Sequence, residues 1–286
     1  MKLKTIFLVI LASVLLSTYG CANGNTAGIT KNAGIFENTG KLNLNIPEES
    51  WKDAAPGISY RYFHVDPGNG DDLKDFFAVR VDPKRYVFEV HQNRDQESAL
   101  TIKEIHQSRE SLLTFNGGFF TEDFKPTGLL ISNGEKIRVT SPASLLNGIF
   151  AISDTGIPRL FTNETTINEK KYPFAIQNGP ILIDGQGKIA ITKDTGNAAS
   201  RTAIGLDADD NVILIILKQS LFNPANNITL YDFAHTLKEA PAFKDLKLHA
   251  MLNLDGGAST GLMVDGQYFP ELDRVQNVVI VKARQP

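Results

Sequence analysis

The sequence predicts an α+β fold, a single domain built of mainly antiparallel β-sheets with a few helices. Three observations support this prediction: short apolar runs outnumber helical patterns, tight turns join most of these runs, and 23 glycines are available for the turns. With 286 residues, of which 42% are hydrophobic and 21% charged, the chain can bury a sizeable core. No composition break and no internal repeat divides the region after Ile58, so one domain over residues 51–286 is the economical interpretation.

The N-terminus has the pattern of a secretory signal. Two lysines precede an apolar run over residues 6–16, which is too short to span a bilayer comfortably. Cys21 follows as the only cysteine of the chain and therefore has no disulfide partner. We predict a lipoprotein signal peptide over residues 1–20, cleaved before a lipidated Cys21, with Thr18 where an aliphatic residue is usual. An ordinary signal peptide with an incidental cysteine is the alternative.

Residues 21–50 are rich in Asn, Gly and Thr and show little apolar periodicity, which predicts a flexible tether. A lipid on Cys21 followed by this tether would hold the domain at a membrane. We therefore expect an exported lipoprotein anchored in the periplasm or at the outer membrane. The formal net charge of −3 gives no basic footprint, so nucleic acid is not an expected partner.

The first half of the domain reads as strands with one helix. The predicted strands cover residues 58–65, 76–81, 86–91, 112–115, 129–131 and 136–139, with a loop at 67–72 between the first two. Thr101 and Glu104 have capping-box spacing, which predicts a helix over residues 101–111. Asn133-Gly134 is a strong hairpin signal before the last of these strands.

The second half continues the pattern. The predicted strands cover residues 148–153, 174–176, 181–183, 188–191, 201–206, 212–217, 246–254 and 278–281. Hairpins are expected at 184–185, across 207–211 and over 263–268. Thr229 caps a helix with Asp232 three residues on, and apolar residues at 230, 233, 234 and 237 form its buried stripe.

The stretch Leu-Asn-Leu-Asp-Gly-Gly-Ala-Ser-Thr-Gly at residues 252–261 is the strongest candidate for chemistry. Alternation places Leu248, Ala250, Leu252 and Leu254 on one strand face, and His249, Asn253 and Asp255 on the other. Gly256 and Gly257 would let a ligand approach the backbone, and the Ser259 hydroxyl suits an anion such as phosphate. The alternative is a simple turn in which Asp255 bonds only its own backbone.

Four strand ends carry polar residues beside glycines. In chain order they are Asn116-Gly117-Gly118, Asn178-Gly179-Pro180, Arg201 before Gly205, and Asp255-Gly256-Gly257. In this order, with Pro126 and Gly128 between the first two, they resemble the phosphodiester glycosidase family, which includes the N-acetylglucosamine-1-phosphodiester alpha-N-acetylglucosaminidases. The resemblance runs from about residue 58 to 281, and residues 230–234 look closest to its exported bacterial branch. The chain departs from the family at Leu217-Lys218, where an acidic residue and a glycine would be expected.

The resemblance implies hydrolysis of the bond between a sugar's anomeric carbon and a phosphodiester oxygen. Together with the predicted export signal, it leads us to expect substrates in envelope or extracellular glycans such as exopolysaccharide. Arg201 would hold the phosphate by paired hydrogen bonds. Backbone N–H groups would add further donors, at Gly117, Gly118, Gly256 and Gly257. Asp255 would be the nucleophile, the general base or the electrostatic stabiliser of an oxocarbenium-like transition state.

The remaining candidates are assigned around this reaction. Asn116 and Asn178, the latter beside Gly179, would bind sugar hydroxyls or an N-acetyl group, with turn stabilisation as the alternative for each. His249 would be a general acid, or else an ordinary packed side chain. Two rival functions are a non-catalytic glycan- or phosphate-binding lipoprotein that uses the same pocket, and an envelope assembly factor.

No cofactor is expected from the sequence. The loop at residues 207–211 has acidic residues that could hold Ca²⁺, which keeps a divalent metal open. It lacks the glycine and the distal glutamate of an EF-hand loop, so a solvated hairpin tip is the favoured interpretation.

Overall fold

Within the residues that the computed structural model describes, 50–67, 73–218 and 226–284, the chain is built mostly of β-strands. The strands are β1 (Lys52–Ala55), β2 (Ile58–Val65), β3 (Lys74–Val81), β4 (Tyr86–Gln92), β5 (Leu113–Asn116), β6 (Leu130–Ser132), β7 (Glu135–Arg138), β8 (Gly148–Ile152), β9 (Pro158–Thr162), β10 (Phe174–Asn178), β11 (Ile181–Ile183), β12 (Arg201–Asp207), β13 (Val212–Leu217), β14 (Leu248–Asn253), β15 (Leu262–Val264), β16 (Gln267–Phe269) and β17 (Asn277–Ala283). The helices are α1 (Ile102–Ser108) and α2 (Leu230–Glu239), with 3₁₀ turns at Pro241–Leu246 and Gly257–Ser259.

These strands form three sheets. The largest has seven strands in the order β1-β2-β3-β13-β12-β14-β11. The other two have five strands each, in the orders β7-β6-β10-β8-β9 and β16-β15-β5-β17-β4. Every pairing between these strands is antiparallel, and all of them belong to one unit, Asn45–Pro286. The predicted α+β fold of mainly antiparallel sheets in a single domain is therefore confirmed.

The seven-stranded sheet is buried on both faces, as β13 shows. Its side chains alternate: Val212, Leu214 and Ile216 join a core shared with the other two sheets, and Ile213, Ile215 and Leu217 join a second core beneath α2. Burying such a side chain contributes roughly 1.5–3 kcal/mol. The sheet is consequently a rigid support for the loops that join the ends of its strands.

Both helices begin where the sequence predicts. Thr101 Oγ1 accepts the N–H of Glu104 at 3.2 Å, and the Glu104 carboxylate accepts the Thr101 N–H at 2.7 Å, which completes a capping box. The Thr229 hydroxyl accepts the N–H of Asp232 at 3.1 Å at the start of α2. The apolar stripe of α2 packs against the large sheet, which is the amphipathic pattern expected of a surface helix.

Three predicted hairpins are present. β12 pairs with β13 in the expected register, from Arg201 opposite Leu217 to Leu206 opposite Val212. The β6–β7 and β15–β16 turns each have two residues at positive φ, Asn133-Gly134 and Asp265-Gly266, as a two-residue hairpin turn requires.

Other expectations were wrong. The segment 188–191 is not a strand. It makes one bridge, between Ile183 and Ile189, and its pairing with β11 ends after the hydrogen bond from the Ala190 N–H to the Leu182 carbonyl at 2.9 Å. β1 and β9 were not predicted, since one lacks apolar alternation and the other starts at a proline. On β14, the pairing with β12 skips His249, and this bulge turns Leu248 to the α2 face, opposite to Ala250.

Several predictions concern residues outside those described. They are the signal peptide over residues 1–20, the lipidated Cys21, all but the last residue of the tether, and most of the loop at 67–72. In the described part of the chain, no helix combines the length and the apolar character needed to cross a membrane.

Candidate active site

Charged residues from three neighbouring strands lie at one end of the seven-stranded sheet, where β12 begins and β13 and β14 end. Asn253 in β14 pairs with Ala203 in β12, and Arg201 at the start of β12 pairs with Leu217 at the end of β13. The alignment continues past the strand end, where the backbone N–H of Leu254 donates to the carbonyl of Thr202 at 2.8 Å. Asp255, Arg201 and Lys218 therefore lie at the same end of the sheet. They bring one carboxylate and two cations to the ends of three adjacent strands.

Asp255 is partly buried and lies just after β14. Among the described residues, no cation lies within ion-pair distance of its carboxylate. Burial raises the pKa of Asp255 to about 6, against hydrogen bonds from the Ser259 side chain and from the Gly256 N–H, the latter at 2.9 Å. The carboxyl thus titrates close to neutral pH, which suits a group that exchanges protons or charge during a reaction.

Asn116 holds the Asp255 loop in place. Its Nδ2 donates to the Asp255 carbonyl at 2.8 Å, while its Oδ1 accepts from Thr202 Oγ1 at 2.8 Å and from the Gly261 N–H at 3.2 Å. The side chain has no exposed surface. The predicted contact between Asn116 and a sugar does not fit this geometry, because protein groups already use both ends of the buried amide.

Asn178 has a similar structural place at the end of β10. It is fully buried, its Oδ1 accepts from the Phe119 N–H at 3.2 Å, and its Nδ2 donates to the Asn253 carbonyl at 2.9 Å. Asn253 in turn donates from Nδ2 to the carbonyl of Gly179 at 2.9 Å. These bonds favour the alternative interpretation, in which Asn178 fixes the strand ends rather than binding sugar.

The four glycine N–H groups predicted as anion donors are already used within the protein. Gly117 donates to the Asn277 carbonyl at 2.9 Å and Gly118 to Asn277 Oδ1 at 2.6 Å. Gly257 donates to the Ser200 carbonyl at 2.8 Å, and Gly256 to the Asp255 carboxylate. In this structure, each of these four N–H groups has a partner within the protein.

Two of these glycines, Gly117 and Gly256, are needed for space instead. A Cβ on Gly117 would lie 2.0 Å from Asn277 Oδ1, and a Cβ on Gly256 would lie 2.7 Å from the Ser200 carbonyl. Such close approaches are possible only without a side chain. Gly117 lets the end of β5 approach β17, and Gly256 lets the Asp255 loop approach the start of β12.

Arg201 is held by two backbone carbonyls. Its Nε donates to Ile228 at 3.0 Å and its Nη2 to Asn197 at 2.5 Å. No carboxylate of the described chain is within ion-pair distance, and burial lowers the pKa of Arg201. The guanidinium is thus fixed in position while its charge lacks an acidic partner, which suits an anionic ligand.

His249 does not reach the end of the sheet where Asp255 lies. It is exposed at the β14 bulge, roughly 15–20 Å of extended chain from Asp255, beside a hollow lined by Arg159, Gly185 and Asp210. This separation does not support the predicted role of His249 as a general acid at Asp255, because a shared strand face does not bring together residues six positions apart.

Lys218 is a site residue that the prediction missed. Its Nζ donates to the Thr260 carbonyl at 2.6 Å, and burial lowers the pKa of Lys218 to about 8 against the opposing charge of Glu271. Its departure from the family pattern was the available signal. Thr202 and Asn277, which complete the network of Asn116 and Gly118, carried no signal in the sequence.

The loop at residues 207–211 behaves as a turn. Asp207 Oδ1 accepts the N–H groups of Asp209 and Asn211 at 2.9 Å each, and Oδ2 accepts Asn211 Nδ2 at 2.9 Å. The carboxylate is used in closing the turn, which agrees with the hairpin interpretation. Within the described ranges, no group of three or more His, Cys, Asp or Glu side chains is placed to hold a metal ion.

Comparisons of the sequence find two relationships. The model of the phosphodiester glycosidase family matches residues 109–282, more than half of the chain and all four polar strand ends. The uncharacterized protein YigE of Escherichia coli is 26% identical over 175 residues, which cover 58% of this chain and 63% of YigE. The chain thus spans under two thirds of the length of that relative.

Comparisons of the structure find the same fold in two other proteins. The zebrafish N-acetylglucosamine-1-phosphodiester alpha-N-acetylglucosaminidase catalytic domain, auto-inhibited by its pro-peptide, superimposes with a TM-score of 0.64 at 21% identity, covering 83% of this chain and 87% of that domain. A hypothetical protein from Synechocystis superimposes with a TM-score of 0.61 at 17% identity, covering 80% and 62%. At these identities the likeness shows the fold.

Proposed function

Because the chain belongs to the phosphodiester glycosidase family, we propose that it is a hydrolase of sugar-1-phosphodiesters in envelope or extracellular glycans. The observation that supports this most is the placement of Asp255. It is a partly buried carboxyl whose pKa is raised to about 6, next to the strand that carries Arg201. Asp255 and Arg201 lie at one end of the sheet, and neither has an ion-pair partner among the described residues. The carboxylate would face the positive charge that develops on the sugar, and the guanidinium would face the negative charge of the phosphate.

In this proposal the bond between the anomeric carbon and the phosphate oxygen breaks, and water supplies OH to the sugar and a proton to the phosphate. Arg201 binds the phosphate oxygens by charge-assisted hydrogen bonds. The ionised Asp255 stabilises the oxocarbenium-like transition state or attacks it. A phosphate monoester is a good leaving group, so the reaction does not require the general acid that His249 was expected to supply.

The test is release of free sugar from a panel of sugar-1-phosphodiesters that includes N-acetylglucosamine-1-phosphate esters, with and without a chelator. Asp255→Asn and Arg201→Ala should each abolish turnover, whereas the exposed control changes Asp53→Asn and Arg138→Ala should not. All four proteins are first shown to be folded by circular dichroism. Undiminished turnover in Asp255→Asn would contradict the assignment, and loss of turnover with chelator would establish a metal requirement.

The second candidate is a non-catalytic protein that binds glycan or phosphate in the same place. It is favoured by Arg201, because a cation that is fixed in place and has no acidic partner among the described residues can bind a phosphate whether or not Asp255 takes part in a reaction. Binding of a phosphodiester by wild type and Asp255→Asn with equal affinity, and turnover by neither, would favour this candidate over the hydrolase.

We also propose that the chain is exported and anchored by lipid on Cys21. The support is the sequence pattern of residues 1–21, and Cys21 is the only thiol of the chain. Wild type should take up labelled palmitate and partition with membranes, and Cys21→Ser should do neither. A Cys21→Ser protein that still carries label would contradict the anchor, and Ser17→Ala serves as the matched control in the same segment.

A further inference from the structure

A cavity of about 270 Å³ lies at the same end of the seven-stranded sheet as Asp255, Arg201 and Lys218. Its apolar lining includes Tyr62, Phe77, Ile216 and Phe269, and its polar lining among the described residues is His64, Asp75, Lys218 and Asn226. Its walls are therefore mostly hydrocarbon. A mostly apolar concavity with a few convergent polar groups is the usual form of a small-molecule site.

The aromatic walls are packed against one another. The ring centroids of Tyr62 and Phe77 are 4.7 Å apart, and those of Phe77 and Phe269 are 4.8 Å apart. The Tyr62 hydroxyl donates to Gln267 Oε1 at 2.9 Å, so its polar end is satisfied away from the apolar surface. These contacts hold the walls in shape before any ligand arrives.

Lys218 supplies positive charge at the wall of this cavity. An ammonium group has three donors, and within the described chain the one hydrogen bond found for Lys218 Nζ goes to the Thr260 carbonyl. No carboxylate of the described residues is in ion-pair range of Lys218. Glu271 acts on Lys218 from farther away, and Asp75, which also lines the cavity, shares a hydrogen bond with His64 at 2.7 Å. A half-buried ammonium without a counter-ion is costly, and an anion would offset that cost.

The cavity is also connected to the proposed reaction site. Lys218 bonds the carbonyl of Thr260, and the preceding residue, Ser259, bonds the carboxylate of Asp255 through its side chain. Lys218 directly follows Leu217, which pairs with Arg201. Lys218 therefore contacts both the aromatic cavity and the loop that carries Asp255, at the same end of the sheet as Arg201.

We propose that Lys218 is a second phosphate-binding cation and that the cavity takes an apolar chain esterified to that phosphate. This rests on the proposed function and names its substrate class: a sugar-1-phosphate diester of a hydrocarbon alcohol. The hydrocarbon chain is the occupant that fits walls made of phenyl and aliphatic groups, and the phosphate is the group that fits the unpaired ammonium.

The test measures binding rather than turnover. Wild-type protein is titrated calorimetrically with inorganic phosphate, ethyl phosphate, butyl phosphate and octyl phosphate, below micellar concentrations. Each added methylene should tighten binding about fourfold until the cavity is filled, which is the expected gain for burying a CH₂ group. A series that is flat with chain length would overturn the proposal, as would a hexose 6-phosphate that binds more tightly than octyl phosphate.

Variants then separate the two parts of the subsite. Lys218→Met should weaken every ligand of the series at least tenfold, and Phe269→Ala should weaken octyl phosphate while leaving inorganic phosphate unchanged. The exposed Lys247→Met is the matched control. Wild-type affinity in Lys218→Met would overturn the proposal.

The outcome is distinguishable from failure of the hydrolase assignment. A chain-length series that holds in a protein without turnover would leave the subsite in place and move the function to binding. Turnover of water-soluble phosphodiesters with a flat alkyl series would do the reverse.

Discussion

The side chain of Asn116 donates a hydrogen bond from Nδ2 to the backbone carbonyl of Asp255 at 2.8 Å, across 139 residues of sequence. Asn116 ends a strand of one five-stranded sheet, and Asp255 follows a strand of the seven-stranded sheet. The same amide accepts the hydroxyl of Thr202 from the neighbouring strand β12. One buried side chain therefore sets where the candidate catalytic carboxylate lies relative to the strand that begins with Arg201.

Asn116→Leu should lower the free energy of unfolding by about 2–4 kcal/mol. The buried Asp255 carbonyl, the Thr202 hydroxyl and the Gly261 N–H would each lose a partner, and an unsatisfied buried polar group costs about 1–3 kcal/mol. Urea denaturation measures the change. The exposed Gln186→Ala is the control and should stay within about 0.5 kcal/mol. An Asn116→Leu protein as stable as the control would contradict the stabilising role of these three hydrogen bonds.

Asp255→Asn should stabilise the fold above pH 6. The folded-state pKa of Asp255 is raised to about 6 from 3.8, so the favourable contribution of the protonated form is complete below pH 3.8 and is lost as pH rises through 6. Asparagine does not titrate, so the difference in unfolding free energy should grow from near zero at pH 4 to about 2–3 kcal/mol at pH 7.

Urea denaturation of both proteins from pH 4 to 8 measures this difference. The exposed Asp53→Asn is the matched control and should show no growth with pH. A difference between Asp255→Asn and wild type that stays constant across the range would show that burial does not shift Asp255.

Local patterns predicted the parts of this fold that depend on nearby residues. The capping box at Thr101, the hairpin at Asn133-Gly134 and the β12–β13 register all follow from spacing within a few residues. The bulge at His249 does not, because it is set by pairing with β12, more than forty positions away. A strict alternation therefore gave the wrong face for Leu248.

The sequence indicated where the candidate site lies better than it indicated what each of its residues does. The glycine-flanked strand ends do meet, since Asn116 bonds the loop of Asp255 and Asn178 bonds Asn253. Whether an asparagine or a glycine N–H faces a ligand or another strand depends on tertiary partners such as Asn277. No local pattern in the sequence specifies those partners.

Gly117→Ala should destabilise the protein and reduce activity together. The added Cβ would lie 2.0 Å from Asn277 Oδ1, the acceptor of the Gly118 N–H, so Asn277 must move and that bond is lost. Thermal unfolding and sugar release are the two measurements. Gly185→Ala is the matched control, because its Cβ would meet no atom within 4 Å. Equal melting temperatures for the two variants would contradict the crowding at Gly117.

The acid limb of the pH–activity profile should report Asp255. If the carboxylate acts in its ionised form, kcat/KM rises as pH passes about 6. The Ser259 side chain lowers the pKa of Asp255 by hydrogen bonding, so Ser259→Ala should move this limb to higher pH while leaving the maximal rate within a few fold. A profile that instead falls above pH 6 would make Asp255 a general acid, and a limb unmoved by Ser259→Ala would assign it to another group.

The basic limb should report Lys218. Burial lowers the pKa of Lys218 to about 8, so the amine loses its charge, and with it the phosphate contact, as pH rises through 8. Substrate KM should therefore increase above pH 8, and Lys218→Arg should keep KM low to higher pH because the guanidinium stays charged. The exposed Lys247→Arg, which changes no contact with the cavity, should leave the profile of wild type unaltered. A KM that is flat from pH 7 to 9 in wild type would separate Lys218 from the phosphate, and the two arginine variants would then behave alike.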